Sequence, residues 1–123
     1  MSTILVIEDE KGLLQIMKQA LTDCGYVVET AGDGLDGIRK FDEGSFDIVI
    51  TDIRMPGIDG NGVVDHIRQS NRQSVPVIAI TGTPWLLENK NFNMVLAKPF
   101  PLNLLFESVR SLSSLPHQAA VGM

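Results

Sequence analysis

The feature that most constrains this chain is a regular alternation of short apolar runs with longer segments that are apolar on one side only. Short continuous apolar runs are typical of strands covered on both faces, whereas apolar residues three and four positions apart are typical of amphipathic helices. The predicted strands are residues 4–7, 26–30, 46–51, 75–80 and 94–97. Because parallel strands require crossover connections, strands that alternate with helices predict a mostly parallel sheet.

The intervening helices are marked by apolar residues at helical spacing. The markers are Leu13, Leu14, Met17, Ala20, Leu21 and Cys24 in the first helix, Leu35, Ile38 and Phe41 in the second, Val63, Val64 and Ile67 in the third, and Leu102, Leu105, Phe106, Val109 and Leu112 in the fifth. A short fourth helix is predicted over residues 84–91, because Pro84 favours a first helical turn. Cys24 ends the first apolar stripe and is predicted to be a buried structural thiol.

The composition limits the partners that this chain can have. Its 123 residues suit one compact domain, and a hydrophobic content of 44% is enough for a core. The formal net charge is −5 and Lys and Arg form no cluster, which argues against nucleic acid or an anionic membrane as the main partner. Because no signal peptide and no membrane-spanning stretch is recognisable, a reduced cytoplasmic location is expected.

Polar residues directly follow the apolar run of four predicted strands. Glu8 and Asp9 follow the first strand, Asp52 the third, Thr81 the fourth and Lys98 the fifth. In open α/β sheets, ligands bind beyond the carboxyl ends of the strands. We therefore expect these side chains to lie together at one edge of the sheet and to form the functional site.

This set of side chains favours phosphoryl chemistry. Crowded carboxylates repel one another unless a cation is present, and Mg²⁺ suits oxygen ligands that also face a phosphate. A carboxylate can then act as the nucleophile and form an aspartyl phosphate. A lysine and a threonine hydroxyl can each bind a phosphate oxygen.

The sequence resembles the receiver domain of bacterial two-component response regulators. The resemblance rests on IEDE at residues 7–10, TDIRMPGIDG at residues 51–60, TG at residues 81–82 and KPF at residues 98–100. It extends over about residues 3–112, which is nearly the whole chain.

The resemblance implies a role for each residue of the predicted site. It implies that Asp52 is the phosphoacceptor, that Glu8, Asp9 and Asp52 supply carboxylates to Mg²⁺, and that Arg54 supplies its backbone carbonyl. It implies that Thr81 and Lys98 contact the phosphoryl oxygens. A cis peptide bond between Lys98 and Pro99 is also implied, and proline makes a cis bond inexpensive.

We accordingly predict a doubly wound α/β fold with a five-stranded parallel sheet, a flavodoxin-like strand order of 2-1-3-4-5 and a shortened fourth helix. Residues 1–114 are predicted to form the receiver domain and residues 115–123 a disordered tail. The resemblance implies a stand-alone response regulator phosphorylated by a sensor histidine kinase or a histidine phosphotransfer protein. It would act on an unknown downstream protein or relay phosphate, and would catalyse its own phosphorylation and dephosphorylation rather than act as a conventional turnover enzyme.

Two departures from the family pattern concern the conformational switch that family members undergo. They do not affect the residues of the predicted site. Val95 stands where the family usually carries an aromatic residue. The stretch from Thr81 to Lys98 is also shorter than is usual, at 17 positions. Trp85, the only tryptophan, lies in this stretch. We predict that the segment is loosely ordered without phosphate and that Trp85 changes its exposure on phosphorylation; the alternative is that Trp85 is a plug in the core.

Three other functions were considered. Residues 32–37 fit the dinucleotide pattern G-x-G-x-x-G, but the pattern belongs in the first βα turn and not in the second, so a turn with a helix cap is preferred. Phosphatases with an aspartyl nucleophile commonly carry a general acid two positions later. This chain has Arg54 there, and arginine cannot act as a general acid, so the phosphatase interpretation is not preferred. A divergent receiver that acts as a phosphorylation-independent binding module stays open as the alternative.

Overall fold

The computed structural model describes residues 2–113 and alternates strands with helices along the chain. The strands are β1 (Thr3–Ile7), β2 (Val27–Ala31), β3 (Ile48–Asp52), β4 (Val77–Thr81) and β5 (Met94–Ala97). The α-helices are α1 (Lys11–Asp23), α2 (Gly34–Glu43), α3 (Gly60–Arg68) and α4 (Leu102–Ser113). A single 3₁₀ turn, Pro84–Leu86, lies between β4 and β5. The predicted tail falls outside the described residues, among which no helix is long and apolar enough to cross a membrane.

All strands pair in parallel, in the order β2-β1-β3-β4-β5. The predicted doubly wound topology and strand order are confirmed. Every residue of β3 and β4 is buried, as expected for strands that are covered on both faces. The carboxyl ends of β1, β3, β4 and β5 therefore meet at one edge of the sheet.

Helices cover both faces of the sheet because successive strand residues point to opposite sides. In β1, Ile4 and Val6 belong to one buried cluster, and Leu5 and Ile7 belong to the other. The first cluster contains Met17 and Leu21 of α1 and Leu105, Val109 and Leu112 of α4. The second contains Phe41 of α2 and Val63, Val64 and Ile67 of α3.

Acidic side chains cap the helices that begin near the carboxyl edge. Glu10 accepts hydrogen bonds from the first-turn amides of α1, and Asp59 accepts one from Gly62 N at 3.0 Å in α3. Asp33 accepts one from Asp36 N at 2.8 Å. The preferred interpretation of residues 32–37, a turn followed by a helix cap, is thus confirmed.

The predicted fourth helix is wrong beyond its first turn. Helical structure ends at Leu86, and asparagine side chains take over the hydrogen bonding of the following residues. Asn89 donates to Asp65 Oδ1 of α3 at 3.0 Å, and Asn93 Oδ1 accepts from Val77 N at 2.8 Å. Such side-chain bonds compete with helix formation.

Arg68 of α3 forms hydrogen bonds with the last residues before β5. Its guanidinium donates to Asn91 O at 2.9 and 3.1 Å and to Asn93 Oδ1 at 2.7 Å. The expectation of a short or irregular fourth helix is therefore confirmed, but the residues before β5 are fastened to α3 through polar groups.

The prediction that Cys24 is buried is wrong, the helix marker Leu35 is also exposed, and one alternative is excluded. Cys24 is the C-cap of α1 and is exposed, because the apolar face of the helix ends one turn earlier at Leu21. Leu35, in the first turn of α2, is 66% exposed because that turn extends past the core. Trp85 is 75% exposed, so it is not a plug in the core.

Candidate functional site

The five side chains predicted from the strand ends lie at the carboxyl edge of the sheet. Asp52 and Thr81 are the last residues of β3 and β4. Each of these strands therefore ends one residue later than predicted. Glu8 follows β1 and continues its ladder, since Glu8 N donates to Ala31 O at 3.0 Å. Lys98 follows β5, and its amide donates to Thr81 O at 2.9 Å. The backbone pairing therefore fixes the relative height of these side chains.

Glu8, Asp9 and Asp52 form a compact acidic cluster. One carboxylate oxygen from each lies within 4.8 Å of the others. Glu8 is fully buried and Asp52 is 5% exposed, whereas Asp9 is exposed and opens the cluster to solvent. The cluster therefore combines two desolvated acids with one that solvent can reach.

Lys98 connects the two buried acids. Its Nζ lies 3.1 Å from Glu8 Oε1 and 3.2 Å from Asp52 Oδ2. The side chain reaches this position from the start of the loop that follows β5. The peptide bond between Lys98 and Pro99 is cis, as the resemblance implies.

Burial and charge shift the protonation of both partners. Burial, helped by the negative charge of Asp52, raises the pKa of Glu8 to about 7, although Glu10 N–H and Lys98 oppose the rise. Burial alone would lower the pKa of Lys98, but the charges of Asp52 and Glu8 outweigh it and raise that pKa. Lys98 therefore stays charged at neutral pH, while Glu8 resists ionisation.

The cluster fits a hard divalent cation. Glu8 Oε1 is buried, and among the described residues no donor makes a well-aligned hydrogen bond to it, although Lys98 Nζ is nearby. A buried acceptor of this kind is costly unless it gains a partner. Three carboxylates with one side open to water match the ligand preference of Mg²⁺.

The loop after β3 holds Asp52 through its backbone. Asp52 Oδ1 accepts a hydrogen bond from Ile53 N at 2.9 Å. Gly60 has no room for a side chain, since a Cβ there would lie 2.4 Å from Asp52 O. Gly57 has φ +76°, a conformation that glycine adopts without strain. Met55 is buried in the second cluster and anchors the loop.

Thr81 is buried and its hydroxyl is already engaged. Thr81 Oγ1 accepts a hydrogen bond from Thr83 N at 3.1 Å and lies 3.4 Å from Thr83 Oγ1. Sequence reasoning missed Thr83, although a threonine hydroxyl often accepts from the backbone amide two residues later.

Arg54 is exposed beside a small cavity next to the site. The cavity has a volume of about 190 Å³ and is lined by Ile53, Arg54, Asp59, Asn61, Thr81, Thr83, Leu86 and Leu87. It separates the loop after β3 from the turn Pro84–Leu86. Arg54 thus lies near the acceptor strand, as its place two positions after Asp52 requires.

A sheet of this order, with its polar side chains at the carboxyl edge, has the flavodoxin-like doubly wound architecture. Residues 4–110 match the response regulator receiver domain family. The chain belongs to that family, and the predicted resemblance is confirmed.

Curated relatives are longer than this chain. It is 35% identical to the transcriptional regulatory protein TcrA of Mycobacterium tuberculosis over 115 residues, which cover 89% of this chain and 45% of TcrA. It is 31% identical to the transcriptional regulatory protein CusR of Escherichia coli K12, covering 89% of this chain and 50% of CusR. The chain therefore spans about half the length of these relatives.

Solved receiver structures superpose closely. The response regulator TrrA of Thermotoga maritima, in complex with Mg²⁺-BeF, is 33% identical with a TM-score of 0.84, and the match covers 91% of this chain and 99% of TrrA. The receiver domain of the sensor histidine kinase PA1611 of Pseudomonas aeruginosa PAO1 is 28% identical with a TM-score of 0.85, covering 93% of this chain and 98% of that domain. That structure has magnesium coordinated in its active-site cleft.

Proposed function

We propose that this receiver domain accepts a phosphoryl group on Asp52 from the phosphohistidine of a sensor histidine kinase or a histidine phosphotransfer protein. The observation that supports this most directly is the connection of Glu8 and Asp52 by Lys98 at the carboxyl edge of the sheet. An ion pair needed only for stability would be unusual there, because burying two acids with one base leaves an uncompensated charge.

In the proposed reaction, a carboxylate oxygen of Asp52 forms a bond to phosphorus as the bond between phosphorus and the donor histidine nitrogen breaks. The nitrogen leaves with the bonding electron pair. Lys98 follows the negative charge from the Asp52 carboxylate to the phosphoryl oxygens, and Thr81 donates its hydroxyl hydrogen to one of them. Hydrolysis reverses the modification when water attacks phosphorus and restores the carboxylate.

Mg²⁺ is the proposed cofactor of this reaction. Glu8, Asp9 and Asp52 would hold it through carboxylate oxygens, and Arg54 through its backbone carbonyl. When bound, the ion neutralises charge at the carboxylates and on the incoming phosphoryl group. Glu8 Oε1, which has an ion pair with Lys98 but no aligned hydrogen bond among the described residues, would gain a second partner.

An apolar groove next to the site is the proposed docking place for the protein donor. It has a volume of about 470 Å³ and is lined by Leu13, Ile16, Lys98, Pro99, Phe100 and Leu102. Lys98 belongs both to the groove and to the acidic cluster. A donor helix that lays its apolar face in the groove would therefore bring a phosphohistidine on the same helix close to Asp52.

The output of the phosphorylated domain is proposed to be a change in protein contacts or the relay of phosphate to another histidine protein. Stand-alone action and a cytoplasmic location stay predictions. Autophosphorylation and dephosphorylation are proposed as the catalytic activities of the chain.

Labelling with acetyl phosphate tests the proposal. In Mg²⁺, the wild type should gain one phosphate that is labile to acid and base, and Asp52→Asn should gain none. Asp23→Asn, which alters an exposed acid at the end of α1, is the matched control and should be labelled like the wild type. Equal labelling of Asp52→Asn and wild type would show that Asp52 is not the nucleophile. No labelling of the wild type, together with partner binding that does not depend on phosphate, would favour the alternative binding module.

A further inference from the structure

Within residues 2–113, the hydrogen bonds of the Thr81 hydroxyl are all made with one residue, Thr83. Thr81 Oγ1 is 3.1 Å from Thr83 N, which donates to it, and 3.4 Å from Thr83 Oγ1. Thr81 is 3% exposed, so water has little access to its hydroxyl. Thr83 therefore controls the hydrogen bonding of a residue that the proposed reaction uses.

A threonine hydroxyl carries one hydrogen and two acceptor lone pairs. In the unmodified protein the Thr83 amide fills one lone pair of Thr81 Oγ1. The contact between the two hydroxyls can have either one as donor while Asp52 is unmodified. Once Thr81 gives its hydrogen to a phosphoryl oxygen, only the Thr83 hydroxyl can donate in that contact, and it then fills the second lone pair.

Hydrogen bonds hold the backbone on both sides of the contact between Thr81 and Thr83. Leu86 N donates to Thr83 O at 2.9 Å, which closes the turn Pro84–Leu86 directly after Thr83. Lys98 N donates to Thr81 O at 2.9 Å on the other side. Backbone hydrogen bonds on both sides therefore hold the two threonines close enough for their hydroxyls to meet.

We infer that Thr83 is a positioning residue for phosphoryl transfer, because its amide and hydroxyl together make Thr81 a pre-oriented hydrogen-bond donor to the phosphoryl group. A donor whose lone pairs are both occupied is polarised by those bonds and donates more strongly. Thr83 acts through Thr81 and does not contact the phosphoryl group. This inference rests on the proposed function and adds to it a residue that neither the motif nor the acidic cluster contains.

The test compares Thr83→Val, which removes the hydroxyl and keeps the branched shape, with Thr83→Ser, which keeps the hydroxyl. Phosphorylation by acetyl phosphate is measured as a function of donor concentration, and beryllofluoride affinity is measured from the NMR shift of the Thr81 methyl group. We expect Thr83→Val to lower the saturating rate about two- to tenfold with little change in KM, and to weaken beryllofluoride binding by a similar factor, as expected for one hydrogen bond. Thr83→Ser should resemble the wild type.

A double-mutant cycle with Thr81→Ala separates positioning from a general structural role. In the Thr81→Ala background, Thr83→Val should slow phosphorylation no further. An equal loss in both backgrounds, a wild-type rate for Thr83→Val, or a Thr83→Ser variant as slow as Thr83→Val would each overturn the inference while Asp52 labelling of the wild type upholds the proposed function. Absence of labelling in the wild type would overturn both.

Discussion

Glu8 is the residue whose environment departs most from that of an ordinary acid. It is fully buried, faces Asp52 and has one oxygen without an aligned hydrogen bond among the described residues. Burial disfavours its charged form, and only Lys98 and the amide of Glu10 compensate. The folded protein without metal is therefore electrostatically strained at Glu8.

This strain predicts a pH dependence of stability. The pKa of Glu8 is raised from 4.5 to about 7, so the folded state holds a proton that the unfolded state releases in that window. The free energy of unfolding should therefore fall as pH rises from 4.5 to 7. Urea unfolding in EDTA should show wild type losing about 1–3 kcal/mol relative to Glu8→Gln over this range. A constant difference between the two proteins would contradict the prediction.

At the scale of elements, the stretch between β4 and β5 has two parts: an exposed turn, and a final part that is hydrogen-bonded to α3. The turn Pro84–Leu86 carries Trp85 and Leu86 into solvent. The residues that follow are fastened to α3 by Asp65 and Arg68. Rearrangement on phosphorylation is therefore expected in the turn and not in the final part.

Trp85 fluorescence reports on that turn. Trp85 is 75% exposed in the structure, so a rearrangement that packs the turn against the domain would bury it and shift its emission to shorter wavelength. The shift should follow addition of beryllofluoride with Mg²⁺ to the wild type and should be absent in Asp52→Asn. An unchanged wild-type spectrum at saturating beryllofluoride would mean that the turn does not take part in the switch.

The groove between α1 and the start of α4 has a separate test. Ile16 is 53% exposed on α1 and lines the groove, so Ile16→Glu should fold normally and repel an apolar donor helix. Phosphotransfer from a protein donor should slow at least tenfold, since a buried charge without a partner costs more than about 1.4 kcal/mol. Labelling by acetyl phosphate should not change, because a small donor does not need the groove. Val27→Glu, at an exposed position on the far edge strand β2, is the control.

For the whole molecule, the main consequence of the acidic cluster is that metal binding and folding are linked. A cation that binds only the folded state adds stability by mass action. At saturating Mg²⁺ the wild type should gain about 1–3 kcal/mol and melt several degrees higher. Asp9→Ala should gain much less and Asp23→Ala should gain as much as the wild type. Equal gains in wild type and Asp9→Ala would remove the carboxylates from the explanation.

The sequence was sufficient to predict the features that follow from the direction of the parallel strands. Parallel strands end at one edge, so the position of Asp52 after its apolar run already placed it beside Glu8 and Lys98. The exposure of Cys24 depends on where the apolar face of α1 ends against the sheet, which spacing alone does not give. The conformation of the segment from Asn89 to Asn93 depends on hydrogen bonds to α3, which is distant in sequence. The contact between Thr81 and Thr83 depends on the local turn that follows β4.

Lys98 belongs both to the acidic cluster and to the apolar groove. This limits how the phosphoryl donor of such a receiver can change during evolution. Its ammonium group serves the acidic cluster, while its stem lines the groove. Under the proposed mechanism, selection for a new donor cannot act on Lys98 without also changing phosphoryl transfer. Partner choice would then have to diverge through groove residues outside the acidic cluster, such as Ile16 and Leu102. After gene duplication, a few substitutions there would be enough to insulate two signalling routes that share one unchanged reaction centre.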